Sequence, residues 1–154
     1  MAIRNSAKAL ILHDGKLLLN KCVSRLGMYY ALPGGGQHDG ELLTEAVRRE
    51  VMEETGLSVE PMRLSAVFER VSDDRIGSVN AHKMYFVFLC RYLPDVAARE
   101  PVERDPYQVG MEWVSVDDAV RASLFPRVIR DNLPALLDYG ETIYLGSERR
   151  GGPR

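Results

Sequence analysis

Three glutamates stand close together near the end of a stretch that opens with glycines and continues as a predicted helix. The stretch runs from Gly34 to Leu57, and the glutamates are Glu50, Glu53 and Glu54. At about 100° per residue, their side chains fall within an arc of roughly 100° on one side of the helix. The apolar residues on that same side are Leu43, Ala46, Val47 and Val51. The three carboxylates are therefore predicted to face inward or into a cleft.

Carboxylates gathered on an inward side repel one another and raise each other's pKa unless a cation neutralises them. Carboxylate oxygens are the ligands that hard divalent cations prefer, so the pattern predicts a metal site. The alternative is a solvated helix with ion pairs such as Glu45–Arg49, which is the common explanation for a glutamate-rich helix. Glu45, Arg48 and Met52 fall on the opposite, solvent side. This separation favours the metal site.

Gly34, Gly35 and Gly36 precede the helix and allow the backbone to come close to a ligand. No Gly-Lys-Ser/Thr follows, so this is not a Walker loop, and the third glycine of a dinucleotide-binding loop is absent too. The loop is more consistent with a backbone oxygen offered to a metal and room for a substrate phosphate. Mg²⁺ binds through a few carboxylates plus substrate phosphates and keeps several waters. One such water, deprotonated by a glutamate, would be the nucleophile.

The fixed residues of the stretch stand at the spacing of a known motif. Gly35, Glu41 and the run Arg49-Glu50-Val51-x-Glu53-Glu54-x-Gly56-Leu57 fill every defined position of the Nudix box. The chain therefore resembles the Nudix hydrolase family, and the order of its other elements is similar to that of a whole Nudix domain. The resemblance implies an α/β/α sandwich with a mixed β-sheet, as a single domain over residues 1–154. It also implies hydrolysis of a nucleoside diphosphate linked to another moiety, with Mg²⁺ or Mn²⁺ as cofactor.

The resemblance further implies which residues do the chemistry. The metal ligands would be Gly35, through its carbonyl oxygen, together with Glu50, Glu53 and Glu54. Arg49 would pair with a glutamate such as Glu41 or Glu53 and hold it in place. The predicted catalytic residues are accordingly Glu50, Glu53 and Arg49.

The general base stays open between two sources. A box glutamate, here Glu50 or Glu53, serves in some members of the family, and an acid from a later loop serves in others. The later candidates in this chain are Glu100, Glu103, Asp105 and Glu112. Glu112 alternates with Met111 and Trp113 on a predicted strand, so both a metal or base role and an exposed strand position are open for it.

The elements that position the helix are predicted from turn and breaker residues. Two apolar runs, 7–12 and 16–22, flank Asp14-Gly15, which indicates a hairpin because glycine adopts the required positive φ at little cost. A loop is predicted over 23–28, and Pro33 opens the glycine loop. The helix is predicted from Glu41 or Leu42 to Thr55, and its N-cap and left-handed C-cap are Asp39 and Gly56.

The remaining chain alternates strands with helices. Strands are predicted at 62–68 (half-buried, alternating), 83–92 (central), 108–116 and 142–145 (edge). Helices are predicted at 119–123, capped by Asp117-Asp118, and at 126–139, stopped by Gly140. The long loop 94–106 is typical of segments that line a binding site. One mixed sheet with helices on both faces is the economical assembly.

Composition limits the partners. The 154 residues carry a net charge of −2, so there is no general attraction to nucleic acid or to an anionic membrane. Neither a signal-peptide pattern nor a membrane-spanning apolar run is present, which predicts a cytoplasmic location. Cys22 and Cys90 lack metal spacing and are predicted to be buried, reduced thiols. The expected partner is a small nucleotide, and a homodimer is left open.

The substrate itself is not determined by the box. Candidates for stacking on a base are Tyr29, Tyr30, Tyr85, Phe86 and Tyr107, and candidates for holding phosphate are Arg25, Arg70 and Arg75. The leading hypothesis is hydrolysis of ADP-ribose, a nucleotide sugar or a modified dNTP. The alternatives are a non-catalytic nucleotide sensor, which the complete glutamate set argues against, and an RNA 5′-end pyrophosphohydrolase, which the absence of a basic face disfavours.

Overall fold

The chain opens with a hairpin whose tight turn requires a left-handed backbone. Strand β1 (Arg4–His13) and strand β2 (Lys16–Ser24) pair antiparallel, with Leu12 opposite Leu17 and His13 opposite Lys16. The turn residues Asp14 and Gly15 have φ angles of 50° and 74°. Two consecutive positive φ angles match the right-handed twist of the flanking strands. The Asp-Gly hairpin prediction is confirmed.

The computed structural model describes residues 3–72, 82–102, 106–138 and 140–150. Further strands are β3 (Gly27–Ala31), β4 (Gly34–Gly36), β5 (Val59–Ser72), β6 (His82–Tyr92), β7 (Gln108–Ser115), β8 (Leu124–Phe125) and β9 (Ile143–Arg150). The helices are α1 (Leu43–Thr55), α2 (Val116–Ala119) and α3 (Arg127–Leu137). The strands form one mixed sheet in the order β8-β3-β2-β1-β6-β5-β9, with β4 paired to β1 and β7 paired to β2. The predicted mixed sheet is confirmed.

Helices cover both faces of this sheet because its central strands alternate between two cores. On one face Ala7, Ala9 and Ile11 of β1 pack with α1, whose buried apolar residues are Ala46, Val47 and Val51. On the other face Leu10 of β1 packs in a core that contains the α3 residues Ile129, Leu133 and Leu136. The period-2 alternation of a strand thus holds α1 and α3 on opposite sides.

The strands after α1 agree only partly with their prediction. β6 is central as expected, since it pairs with β1 in parallel and with β5 antiparallel. The strict alternation over 62–68 is wrong, because β5 shifts register between Pro61 and Arg63 and again between Leu64 and Ala66. These irregularities leave Met62 47% exposed and bury Ser65 together with its neighbour Ala66. A bulge adds one residue and so changes which face the following side chains occupy.

Two segments predicted as loops contain strand structure. Residues 23–28 are not one loop, because β2 and β3 continue into a tight hairpin with Ser24 opposite Gly27. The glycine segment forms β4, which pairs antiparallel with Ser6–Lys8 of β1. Pro33 helps this pairing, because its carbonyl oxygen accepts a hydrogen bond from the Ala9 N–H at 2.9 Å. Proline lacks a donor but keeps its acceptor.

The helix ends differ from several predicted caps. α1 begins at Leu43, so Asp39 is not its N-cap; instead Glu45 Oε2 accepts a hydrogen bond from the Leu42 N–H at 3.0 Å. α2 begins at Val116 rather than 119, because Ser115 Oγ caps it. α3 ends at Leu137, before the predicted stop at Gly140. The predicted end of α1 is confirmed, with Gly56 left-handed at φ 74°.

Some predictions fall outside the described residues, namely those on Glu103, Asp105 and Arg75. Cys22 and Cys90 are free and buried, as predicted, and burial raises the pKa of the Cys90 thiol to about 12. Among the described residues, none of the helices has the length and apolar character that crossing a bilayer would need.

Candidate active site

Strand β4 and helix α1 meet at Gly35 and Glu50. A Cβ atom added to Gly35 would lie 2.6 Å from the Glu50 carboxyl carbon and from its Oε1. Real Cβ atoms do not approach other heavy atoms so closely, so the backbone here can touch the carboxylate only because residue 35 is glycine. The glycine segment thus lies directly against Glu50 of α1.

Arg49 joins three glutamates of α1 and the loop before it. Its Nε and Nη2 donate to the two carboxylate oxygens of Glu41 at 2.7 and 3.0 Å. Its Nη1 lies 3.0 Å from Glu50 Oε1 and 3.2 Å from Glu53 Oε2, and Nη2 also donates to the Gly36 carbonyl oxygen at 2.9 Å. A planar guanidinium suits such forked contacts. The Arg49–Glu41 and Arg49–Glu53 pairs both match the predicted partners.

Glu54 lies deeper than the other glutamates and is held by a buried polar network. Its Oε2 accepts hydrogen bonds from Asn20 Nδ2 at 3.0 Å and from the Gly34 N–H at 2.9 Å. Gln108 Nε2 in turn donates to Asn20 Oδ1 at 3.1 Å and to the Glu54 carbonyl oxygen at 3.3 Å. Buried polar groups are costly unless bonded, so these contacts fix the Glu54 carboxylate in one position.

The environment separates the pKa values of the carboxylates. Burial raises the pKa of Glu54 from 4.5 to about 7, against the opposing effect of the Lys8 charge. Burial also raises the pKa of Glu50, and the hydrogen bond and charge of Arg49 partly oppose this rise. Hydrogen bonds from Arg49 lower the pKa of Glu41 to about 2. Glu41 is thus a permanent counter-ion to Arg49, whereas Glu54 and Glu50 favour an added positive charge.

The carboxylates of this site suit a hard divalent cation. Among the described residues, however, no group of three His, Cys, Asp or Glu side chains is arranged closely enough to hold a metal ion. Glu50 and Glu53 are instead neutralised by Arg49. The hydrogen bonds that the Glu54 carboxylate accepts from Asn20 and from the Gly34 N–H both end on Oε2. Carboxylates beside the close Gly35 backbone are the ligands that Mg²⁺ or Mn²⁺ prefers. The residues fit such an ion if Glu50 and Glu53 turn away from Arg49.

Glu112 lies on the opposite face of the sheet from Glu54. In the β2–β7 pair Glu112 is opposite Leu19, which belongs to the α3 core, whereas the next residue, Asn20, contacts Glu54. Directly opposite residues share a face of a sheet. The Glu112 carboxylate accepts a hydrogen bond from the Tyr30 hydroxyl. The structure therefore does not bring Glu112 to the box glutamates.

The loop after β6 packs against the C-terminal end of α1. The Arg99 N–H donates to the Gly56 carbonyl oxygen at 2.8 Å, and the Val102 N–H donates to the Glu53 carbonyl oxygen at 3.0 Å. Glu100 is exposed between them, and within the described ranges it has no hydrogen bond or ion pair with a box glutamate. The described part of this loop thus caps the glutamate helix.

Two clefts adjoin each other, and one of them reaches Glu50. A polar cleft of about 780 Å³ is lined by residues that include Gly35, Glu50, Arg4 and Lys83. A smaller cleft of about 310 Å³ is mainly apolar, and its lining includes Phe68, Phe125, Arg70 and Arg127. Lys8 and Tyr85 line both. Tyr85 is stacked on Phe68 with ring centroids 4.5 Å apart, so the two clefts share an aromatic wall.

Sequence reasoning missed Asn20, Gln108 and Lys8. Asn20 and Gln108 are buried polar residues, and Asn20 interrupts the run Leu17-Leu18-Leu19, which is the one signal that marks it. Lys8 Nζ donates to the Gly34 carbonyl oxygen at 3.1 Å. A lysine between two alanines on a strand carries no comparable signal. Of the predicted stacking residues, Tyr85 lines the clefts.

A metal-free pH titration should report the buried Glu54 carboxyl. Because its folded-state pKa lies above 4.5, the folded protein holds this proton more tightly than the unfolded chain, so stability falls as pH rises from 4.5 to about 7. The shift corresponds to about 3 kcal/mol at most. We expect the free energy of unfolding by urea, measured in EDTA, to be lower at pH 8 than at pH 5.5.

The matched control for this titration is Glu54→Gln, which keeps the side-chain shape but cannot titrate. Its free energy of unfolding should change much less between the two pH values. An equal decrease in Glu54→Gln, or a stability that rises over this range, would contradict the assignment to Glu54.

The mixed sheet with helices on both faces, the glycine strand and the glutamate helix together define an α/β domain with a carboxylate-rich site. A family model described as the NUDIX domain matches residues 3–136. The chain belongs to the Nudix hydrolase family.

Relatives in sequence and structure agree with this assignment. The chain is 30% identical over 126 residues to a nucleoside triphosphatase, NudI, of Escherichia coli, a match that covers 75% of this chain and 84% of that protein. A MutT protein from Bacillus halodurans has a similar structure, with a TM-score of 0.71, 22% identity and coverage of 96% and 90%. An ADP-ribose pyrophosphatase from Streptococcus suis has a TM-score of 0.64, 23% identity and coverage of 93% and 99%. At these identities, the two structural comparisons show a shared fold and no more.

Proposed function

We propose that this protein is a pyrophosphohydrolase that uses Mg²⁺, or Mn²⁺, to cleave a nucleotide in which a nucleoside diphosphate is linked to a further group. The observation that carries the proposal is the close approach of the Gly35 backbone to the Glu50 carboxylate at the wall of the polar cleft, with no room for a Cβ atom between them. It supports the proposal because Gly35 and Glu50 line one polar cleft, which is large enough for a phosphate chain. Glu50, Glu53, Glu54 and Gly35 would hold the ion.

When bound, the metal polarises a phosphate oxygen and makes a bound water acidic. Glu50 or Glu53 accepts the proton of the attacking water, whose oxygen forms a bond to phosphorus while the bridging P–O bond breaks toward the second phosphate. Arg49, which Glu41 holds through two hydrogen bonds, supplies a positive charge beside these two carboxylates. The network of Asn20, Gln108 and Gly34 keeps Glu54 from rotating.

The clefts support a nucleotide as substrate. The polar cleft is large enough for a phosphate chain, and the adjoining cleft has the apolar walls and the few polar groups that are usual for a small planar ligand. The stacked Tyr85 and Phe68 rings offer one of these walls to a nucleobase or sugar. The similarity to a nucleoside triphosphatase is consistent with this arrangement.

The test is a screen of purified protein with Mg²⁺ against ATP, dTTP, UTP, ADP-ribose, UDP-glucose and dTDP-glucose, with the products separated by anion-exchange chromatography. We expect cleavage of a phosphoanhydride bond in at least one of them and none when EDTA replaces Mg²⁺. If the protein binds a nucleotide but cleaves none of the panel, the proposed hydrolysis is wrong and a nucleotide sensor is the better explanation.

Replacement of Asn20 by leucine should lower hydrolysis without unfolding the protein. Leucine has nearly the shape of asparagine, but it cannot donate to Glu54 Oε2, so the carboxylate loses a positioning contact. Loss of such an outer contact typically costs about 10–100-fold in activity or metal affinity. We expect kcat/KM to fall by this amount and the Mg²⁺ concentration for half-maximal activity to rise.

Asn132→Leu is the matched control, because the Asn132 side chain donates to a backbone group of its own helix, the Val128 carbonyl oxygen at 2.8 Å. It should leave the Mg²⁺ dependence unchanged. An equal effect of both variants, or no effect of Asn20→Leu, would show that Asn20 does not position Glu54.

A further inference from the structure

The smaller of the two clefts, here called the aromatic cleft, combines aromatic walls with cationic side chains. Its aromatic lining residues are Phe68, Tyr85 and Phe125. Its charged lining residues are Lys8, Arg70 and Arg127. Within the described part of the chain, no carboxylate or carboxamide side chain lines this cleft. Its polar side chains are therefore hydrogen-bond donors, apart from the Tyr85 hydroxyl, which can donate or accept.

The two arginines line the aromatic cleft and not the polar cleft, whereas Lys8 lines both. Arg70 is half-buried, and Arg127 is exposed as the first residue of α3. A guanidinium carries five N–H donors, so one carboxylate neighbour, such as Glu148 opposite Arg70 in the β5–β9 pair, leaves donors for a second partner. The arginines can thus bind the part of a ligand that lies inside the aromatic cleft.

The size and walls of the aromatic cleft suit one nucleobase. Its volume is about 310 Å³, and the stacked rings of Tyr85 and Phe68 are parallel to within 5°. Stacking on aromatic side chains is tolerant of sequence, because every base has a π face. The walls can therefore hold a base without choosing among the bases, and the choice depends on the groups that meet its edges.

The bases differ in those groups. Uracil, thymine and guanine carry a carbonyl oxygen at the position where cytosine and adenine carry an amino group. An arginine donates to a carbonyl oxygen, as in its bidentate contact with O6 and N7 of guanine, but it cannot accept from an amino group. An amino group at this position would leave two donors facing each other, which lowers the affinity.

We propose that Arg70 and Arg127 make the aromatic cleft selective for bases with this carbonyl oxygen, so that uridine, thymidine and guanosine nucleotides bind better than cytidine and adenosine nucleotides. The inference rests on the proposed function, because it takes the phosphates to lie at the glutamates and the base to lie in the adjoining cleft. Under this selectivity, UTP and UDP-sugars are better substrates than ATP and ADP-ribose.

Nucleoside monophosphates test the cleft without turnover, since they contain no phosphoanhydride bond. UMP and CMP form one pair of equal size, and IMP and AMP form a second pair, with the carbonyl oxygen in UMP and IMP. We expect calorimetry on the wild-type protein to show tighter binding of UMP than of CMP, and of IMP than of AMP, by about tenfold, the order of one such contact.

The double variant Arg70→Met/Arg127→Met should lose most of this preference. The measured quantity is the ratio of affinities within each pair, in which a general effect of the lost charge on phosphate binding cancels. Because Arg127 is exposed, the single variant Arg127→Met keeps the test valid if the double variant does not fold, and it should reduce the ratio in the same direction.

The matched control is Arg91→Met/Arg121→Met, which removes the same charge from exposed positions that line neither cleft. It should leave both ratios unchanged. Equal affinities within the pairs, tighter binding of CMP and AMP, or no binding of any of the four ligands would overturn the proposal. Ratios that stay the same in the variants of Arg70 and Arg127 would overturn it too, since the arginines would then not read the base.

Activity measurements separate this proposal from the proposed function. With Mg²⁺, kcat/KM should be higher for UTP than for CTP and higher for ITP than for ATP, by about the same tenfold factor. If cleavage occurs with equal kcat/KM within each pair, the selectivity is wrong and the hydrolase proposal stands. If no nucleotide is cleaved, the proposed function is wrong, and the monophosphate affinities still decide whether the cleft selects bases.

Discussion

Replacement of Glu53 by glutamine should lower the rate of Mg²⁺-dependent hydrolysis by about 10³-fold, which is the order of magnitude expected when a general base is lost. Glutamine keeps the shape of the side chain and can still accept the hydrogen bond that Arg49 Nη1 now donates to Glu53 Oε2. What is removed is one negative charge from the group formed by Glu50, Glu53 and Glu54. The effect should therefore fall on kcat and on Mg²⁺ dependence.

The same substitution should leave the fold intact. The Glu53 side chain is 22% exposed, and its ion pair with Arg49 is one of three that Arg49 makes. We expect the free energy of unfolding to stay within about 0.5 kcal/mol of wild type, as for other substitutions outside the core. Activity and urea unfolding are measured on the same preparation.

Glu45→Gln is the matched control on the same helix. Glu45 is exposed on the far side of α1, and its contact with the Leu42 N–H is one that glutamine can also make. Full activity is expected for this variant. A Glu53→Gln enzyme with wild-type turnover would show that the chemistry does not depend on the α1 carboxylates.

Replacement of Gly56 by alanine should destabilise the protein by about 3 kcal/mol, the combined order of a left-handed non-glycine residue and an overpacked contact. Gly56 ends α1 with φ 74°, and a Cβ there would lie 1.7 Å from the Arg99 carbonyl oxygen. That contact is with backbone rather than with a flexible side chain. The loop that caps α1 must therefore move, and the hydrogen bond from the Arg99 N–H to the Gly56 carbonyl oxygen must weaken.

Gly15→Ala separates the two causes. Gly15 has the same φ of 74°, but an added Cβ there would have no other heavy atom within 4 Å. It should cost only the backbone strain, about 1 kcal/mol. Urea unfolding of both variants measures the difference, and equal losses would mean that the Arg99 contact is not rigid.

Several features of the fold were predictable because they depend on neighbours in sequence. The apolar side of α1, its end at Gly56 and the Asp14-Gly15 turn follow from helical periodicity and from the backbone freedom of glycine. Glu50, Glu53 and Glu54 share a side of α1 for the same reason. The motif that they complete was sufficient to predict the family.

The caps were less predictable, since more than one residue near a helix start can satisfy its free N–H groups. Asp39 has the preferred residue type for an N-cap, yet the chain forms an earlier turn in which the Glu41 N–H donates to the His38 carbonyl oxygen. The helix then begins beyond it. Glu45, already inside the helix, reaches back to Leu42 and takes the capping role.

The sequence by itself thus determined the three candidate metal-binding carboxylates, the helix that carries them and the turn that begins the sheet. Tertiary structure alone decided which distant residues meet them. Asn20 and Gln108 are 34 and 54 positions from Glu54, and they reach it because of the register of β2 and β7. A slip of one residue would turn Asn20 away and bring Glu112 to the α1 side, because successive side chains of a strand point to opposite faces.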